Sequence, residues 1–159
     1  MSLDLTISTK KKYKKTGTGI WVRDGGMTRE ITSLEEARSR FPGKDIKLNT
    51  YETDEFWTGN MTHNLGKMAG HVNTTEGLTL YDLLWEPAEH GFSIVNQEWI
   101  EGIMLGYLEV RKRKKELLKY NPPNGWGSYE VLLGFMSDLV RALTQVDLEN
   151  ETYKIYSSV

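Results

Sequence analysis

Cysteine is absent from the 159 residues. That rules out disulfide frameworks, thiolate zinc sites and cysteine nucleophiles, and it fits a reducing compartment. An excess of charge is missing too: 20 basic side chains stand against 22 acidic ones, for a formal net charge of −2. Bulk charge therefore argues for neither a nucleic-acid coat nor an acidic DNA mimic, and only a local basic patch can point to an anionic partner. No apolar run approaches the roughly 18 residues needed to span a bilayer, and no apolar stretch of the signal-peptide kind follows Met1. The expectation is a soluble, cytoplasmic protein without a membrane partner. Gly-x-x-x-x-Gly-Lys-Ser/Thr, Gly-x-Ser-x-Gly and His-Glu-x-x-His are all missing, which removes the common signatures of nucleotide hydrolases, serine esterases and zinc proteases. What is present suits one folded domain over residues 1–159: 38% hydrophobic residues, with 5 Trp, 8 Tyr and 4 Phe, are too many for a disordered chain.

The first third has strand periodicity. Leu3 to Ser8 alternates apolar and polar residues, the pattern of a strand with one buried face. Lys10, Lys11, Lys12, Lys14 and Lys15 then surround Tyr13, and Thr16 to Gly19 reads as a flexible joint. Gly19 to Arg23 and Met27 to Thr32 flank Asp24-Gly25-Gly26, a hairpin signal because glycine supplies the positive φ of primed turns. Ser33-Leu-Glu-Glu36 forms a capping box for a short helix that stops at Phe41-Pro42-Gly43. Asp45 to Trp57 reads as extended, with Ile46, Leu48 and Tyr51 as its expected buried positions.

Beyond Thr62 the period becomes helical. Leu65, Met68 and Ala69 fall on one face of a helix capped by Thr62, and Thr79 to Trp85 makes another, ended by Glu86-Pro87. Trp99, Ile100, Ile103, Met104, Tyr107, Leu108, Leu117 and Leu118 mark a long helix whose Arg111 to Lys115 run lies on its exposed side. Asn121 to Gly125 breaks it, and Ser128 caps a last helix with an apolar stripe from Leu132 to Leu143. Thr152 to Ser157 alternates again and fits a strand beside the first. The expected fold is α+β, a small antiparallel sheet of the N- and C-terminal strands and the hairpin, packed against about four helices.

Three blocks occur in this order: Asn60-Met-Thr-His-Asn-Leu-Gly-Lys-Met-Ala69, Leu80-Tyr-Asp-Leu-Leu-Trp-Glu-Pro87 and Asn121-Pro-Pro-Asn-Gly-Trp-Gly-Ser-Tyr-Glu130. The set resembles a family of small proteins of tailed bacteriophages, over Asn60 to about Leu143 and, loosely, both terminal strands. Ala88 stands where that family tends to place Glu after Pro, and residues 9–52 look like an inserted arm with a hairpin and a short helix. The family has no established biochemical activity. The resemblance therefore implies a phage accessory protein, of the counter-defence kind among others, and supplies no catalytic residues.

Candidate binding residues cluster in two of the blocks. Asn60, Thr62, His63, Asn64 and Lys67 lie around a helix start, where free backbone amides favour a carboxylate or phosphate. The plainer alternative is that Thr62 caps the helix while His63 and Asn64 bond their neighbours. Asn124, Trp126 and Tyr129 sit in a glycine-rich turn, where Trp126 either closes the core or lines a cleft. If the two blocks meet, stacking combines with anion contacts, as a nucleotide requires. Lys10, Lys11, Lys12, Lys14 and Lys15 form either a solvated arm or an anion-binding lid. His63 and His71 are eight residues apart, about 12 Å along a helix, too far to share a metal, and Glu86, Glu89 and His90 match no standard ligand spacing, so no metal and no cofactor is expected. Three functions remain open. One is capture, without turnover, of a small anionic ligand such as a signalling nucleotide. The second is a protein-binding inhibitor or adaptor that acts on a host or phage protein through the basic aromatic arm. In the third, His63 acts as acid or base with Glu86 or Glu89. Exposed aromatics are also compatible with a homo-oligomer.

Overall fold

The computed structural model describes all residues, 1–159, and the fold is α+β. Strand β1 (Ser2–Gly17) lies between β4 (Asn49–Thr62) and β5 (Lys154–Ser158) in an antiparallel sheet of order β4-β1-β5. Leu3, Leu5 and Ile7 alternate onto its buried face, opposite Met61, Gly59 and Trp57 of β4. Strands β2 (Trp21–Asp24) and β3 (Met27–Glu30) form a separate two-stranded sheet, so the hairpin does not join the main one.

Only half of the predicted flexible joint is strand, Thr16 and Gly17, while Thr18 and Gly19 lie beyond it. β1 continues through the lysines to Gly17 and pairs again with β4, Tyr13 opposite Thr53 and Gly17 opposite Asn49. Cross-strand charge explains it: Lys14 faces Glu52 in the register, and the Lys15 ammonium lies 3.5 Å from the Glu55 carboxylate. The register shifts twice, between Ile7 and Ser8, where Phe56 of β4 is left over, and between Ser8 and Tyr13, where Thr9 to Lys12 stand opposite Asp54 alone. A bulge of this kind bends and twists a ribbon. Beyond it, Thr18 N–H donates to the Ile31 C=O at 3.2 Å and Gly19 N–H donates to Glu30 Oε1 at 3.0 Å. The hairpin thus bridges the two ends of the β1–β4 ribbon.

Helix α1 (Leu34–Arg40) packs Ala37 with Ile31 and Ile46 in a small satellite cluster. Ser33 caps it by accepting from Glu36 N–H at 3.3 Å, but Glu36 does not reach back to complete a box, because Arg29 and Arg40 hold its carboxylate. Leu48 and Tyr51, expected inside, are exposed; only Ile46 of the three is buried.

The main core lies under the sheet. It joins the short α2 (Gly66–Gly70) and α3 (Leu80–Leu84) to the long α4 (Gln97–Lys112) and α6 (Tyr129–Leu143). Burying Trp99 and Tyr129 requires partners for their polar tips. Trp99 Nε1 donates to Leu83 C=O at 3.0 Å, and the Tyr129 hydroxyl donates to Val110 C=O at 2.8 Å. The long helix ends earlier than its periodicity suggests. Arg113 interrupts it, donating to His71 C=O at 2.6 Å and to Glu116, and α5 (Lys114–Leu117) follows as a single turn.

Candidate functional site

Thr62 and Asn64 do meet the Trp126 turn, whereas His63 turns to Trp85. Asn64 Nδ2 donates to the Trp126 C=O at 3.4 Å. Gly127 lets the chains approach: its φ is 97°, and a Cβ there would lie 2.6 Å from Thr62 Cγ2. The contacts are mostly structural. Thr62 is buried and caps a single 3-10 turn, His63–Leu65, by accepting from Asn64 N–H. His63 Nδ1 accepts from Trp85 Nε1 at 3.1 Å, which turns the imidazole toward the core. Asn124 accepts from Trp126 N–H at 3.0 Å, and Tyr129 is buried in the core. Lys67 is exposed, its ammonium 5.9 Å from the centre of the Tyr120 ring. Trp126 does not close the core; it is 39% exposed. Beside it lies a hollow of about 100 Å³ that also takes in Arg23, Thr28, Asn60 and Thr62. Ligand sites typically measure ~300–1,000 Å³, so the hollow accommodates a phosphate-sized anion but not a nucleotide.

A far larger cleft, of about 930 Å³, opens between the hairpin and β4. One wall is β3, from Met27 to Glu30, and the other is β4, from Tyr51 to Asn60. α6 contributes Phe135 and Asp138. Asp138 accepts from Trp57 Nε1 at 2.9 Å, and the Trp57 ring meets Phe135 edge-on at 5.4 Å, which fixes the indole at the cleft margin. Two aromatic rings remain accessible at the cleft, Trp21 at 59% and Tyr51 at 43% exposure.

Charge in the cleft is predominantly negative. Asp4, Glu30, Glu52, Glu55 and Asp138 line it, against Lys15 and Arg29. Both cations are already paired: Lys15 with Glu55, and Arg29 with Asp24 at 3.0 Å and with Glu36. Burial pushes the Tyr51 phenol above its ordinary value, and the charges of Glu30 and Glu55 push it further. Of the sequence-predicted residues, only Asn60 and Lys15 line this cleft. Lys10, Lys11, Lys12 and Lys14 are exposed on the outer ribbon, and Lys11 leans over the Tyr13 ring at 5.9 Å. The signal missed in the sequence was Tyr51-Glu52-Thr53-Asp54-Glu55, an acidic stretch in an extended segment that ends in Phe56-Trp57.

The side chains best arranged for a metal are Asp82, Glu86 and His90, whose ligand atoms lie within 4.8 Å of one another. Glu89 stands apart from this group. Structural bonds already occupy two of the three: Asp82 Oδ2 accepts from Thr79 N–H at 2.7 Å in a capping box, and His90 Nε2 lies 3.2 Å from Asp82 Oδ1 and 4.0 Å from Glu86. Comparison with known proteins finds no matching family model, no similar curated protein and no similar solved structure.

Proposed function

We propose that this protein is a binding protein, of the phage accessory kind that the three sequence blocks suggest, and that it holds a positively charged ligand in the cleft between the hairpin and β4 without turning it over. The observation that carries this reading is the composition of the cleft: five carboxylates and two accessible aromatic rings surround about 930 Å³, while both basic side chains are paired with carboxylates. A cation over an aromatic face within a ring of carboxylates gains from the ring quadrupole and from the field together. An anion such as a nucleotide would meet repulsion there, and the hollow beside Trp126 is too small to hold one.

Calorimetric titration with spermine as the cationic probe and ATP as the anionic one tests the assignment. Spermine is expected to bind, more weakly as salt rises, and to lose about tenfold in affinity in Glu52→Gln/Glu55→Gln. Lys15→Ala, which removes the cation already paired with Glu55, is expected to tighten spermine binding. Binding of ATP that weakens in Lys15→Ala, with spermine ignored, would return the reading to a basic arm that captures anions.

A further inference from the structure

Resting on that reading, we infer that the ligand is an extended, basic segment of another protein, added as a strand to the open edge of β4. The sheet order leaves β4 with β1 on one side only. β3 has β2 on one side only, and the two strands face each other across the cleft. Only two hydrogen bonds tie hairpin to β4, both at one end: Thr62 N–H donates to Gly26 C=O at 2.6 Å, and Thr28 N–H donates to Asn60 Oδ1 at 3.0 Å.

The first of these bonds fixes the phase of the strand. Thr62 N–H points away from β1, and in an antiparallel ladder this direction alternates. The pairing runs without a slip from Ser2 opposite Thr62 to Thr6 opposite Thr58. The amide and carbonyl of Thr58 therefore also point outward, into the cleft. Beyond Asn60 no ladder joins β3 to β4, and the cleft continues along β4 to Tyr51.

The dimensions suit one strand. A strand rises ~3.4 Å per residue, sits ~4.8 Å from its neighbour and occupies a layer ~10 Å thick, roughly 160 Å³ per residue. A cleft of about 930 Å³ then accommodates about six residues, and the slip-free run of β4 from Thr62 to Trp57 supplies that length in one phase, with the register shift at Phe56 as its limit. Main-chain bonds to β4 would supply affinity and alternate side chains specificity, as in other strand additions. The specificity is electrostatic: alternate Lys or Arg side chains of the segment reach Glu52, Glu55 and Glu30, with Trp21 and Tyr51 available as ring faces.

The test compares spermine with the peptide Lys-Val-Lys-Val-Lys-Val-Lys and with the same peptide N-methylated at alternate residues, in both phases, by calorimetry on the full-length protein. The unmodified peptide is expected to bind, and one N-methylated form to bind about tenfold more weakly or worse, since methylation removes main-chain donors and leaves charge intact. Thr58→Pro deletes an outward N–H, a change that edge strands tolerate; it is expected to weaken the peptide and leave spermine unaffected. Should that variant fail to fold, the methylated peptides still decide the matter. Equal binding of all three peptides, or binding of spermine without any peptide, overturns strand addition and leaves the cation reading standing. Failure of spermine and peptides alike overturns both.

Discussion

Trp85 is buried, and its indole N–H has one partner, the Nδ1 of His63 at 3.1 Å. Removing an acceptor from a buried donor costs about 1–3 kcal/mol. His63→Ala should therefore lower the free energy of urea unfolding by about that amount, and His63→Gln, whose amide oxygen can accept the same bond, should recover most of it. An unchanged unfolding midpoint in His63→Ala would show that the imidazole is not held for structure and would reopen its reading as an acid or base. The sequence suggested that the polar block around His63 meets the Trp126 turn, and in the structure Thr62 and Asn64 make that contact. The indole that engages His63 lies 22 residues away in another block, and no local pattern shows that pairing.

The hairpin and α1 are joined by charge. Arg29 binds Asp24 and Glu36, and Arg40 binds Asp24 at 3.1 Å and Glu36 at 3.3 Å. The Arg29 guanidinium holds the Glu36 carboxyl below the usual carboxylate range. A lowered carboxyl value means a contribution that is complete above the ordinary value of about 4.3, declines below it, and is gone once pH has fallen through the depressed value. The hairpin and α1 should therefore loosen in acid, seen as a change in the backbone amide chemical shifts of residues 21–40 below about pH 4, and Glu36→Gln should remove that acid step. An identical acid profile in Glu36→Gln would place the transition elsewhere. The hairpin was legible from Asp24-Gly25-Gly26 and α6 from its apolar stripe, because turn chemistry and periodicity are local signals. The Lys10–Lys15 strand was not legible. Its like charges argue against a strand until Glu52 and Glu55, some 38 to 40 residues later, are laid opposite Lys14 and Lys15.

At the scale of the molecule, the cleft has walls of unequal strength. β4 belongs to the main core of 27 buried residues, whereas the hairpin and α1 rest on a cluster of three, Ile31, Ala37 and Ile46. The cleft could not be read from the sequence because its walls, β3 and β4, are separated in the chain by α1 and no local pattern pairs them. Local opening free energy follows buried apolar contact, so units with small cores open below the global unfolding limit. Amides of residues 21–40 should accordingly exchange with deuterium well before those of α4 and α6, at a rate independent of global unfolding. A cation or strand that bridges β3 to β4 would engage both units, and binding should slow exchange in 21–40 far more than in α6. Uniform protection across the chain would show that the small cluster opens only with the large one, and the cleft would then be a rigid slot rather than one with a movable wall.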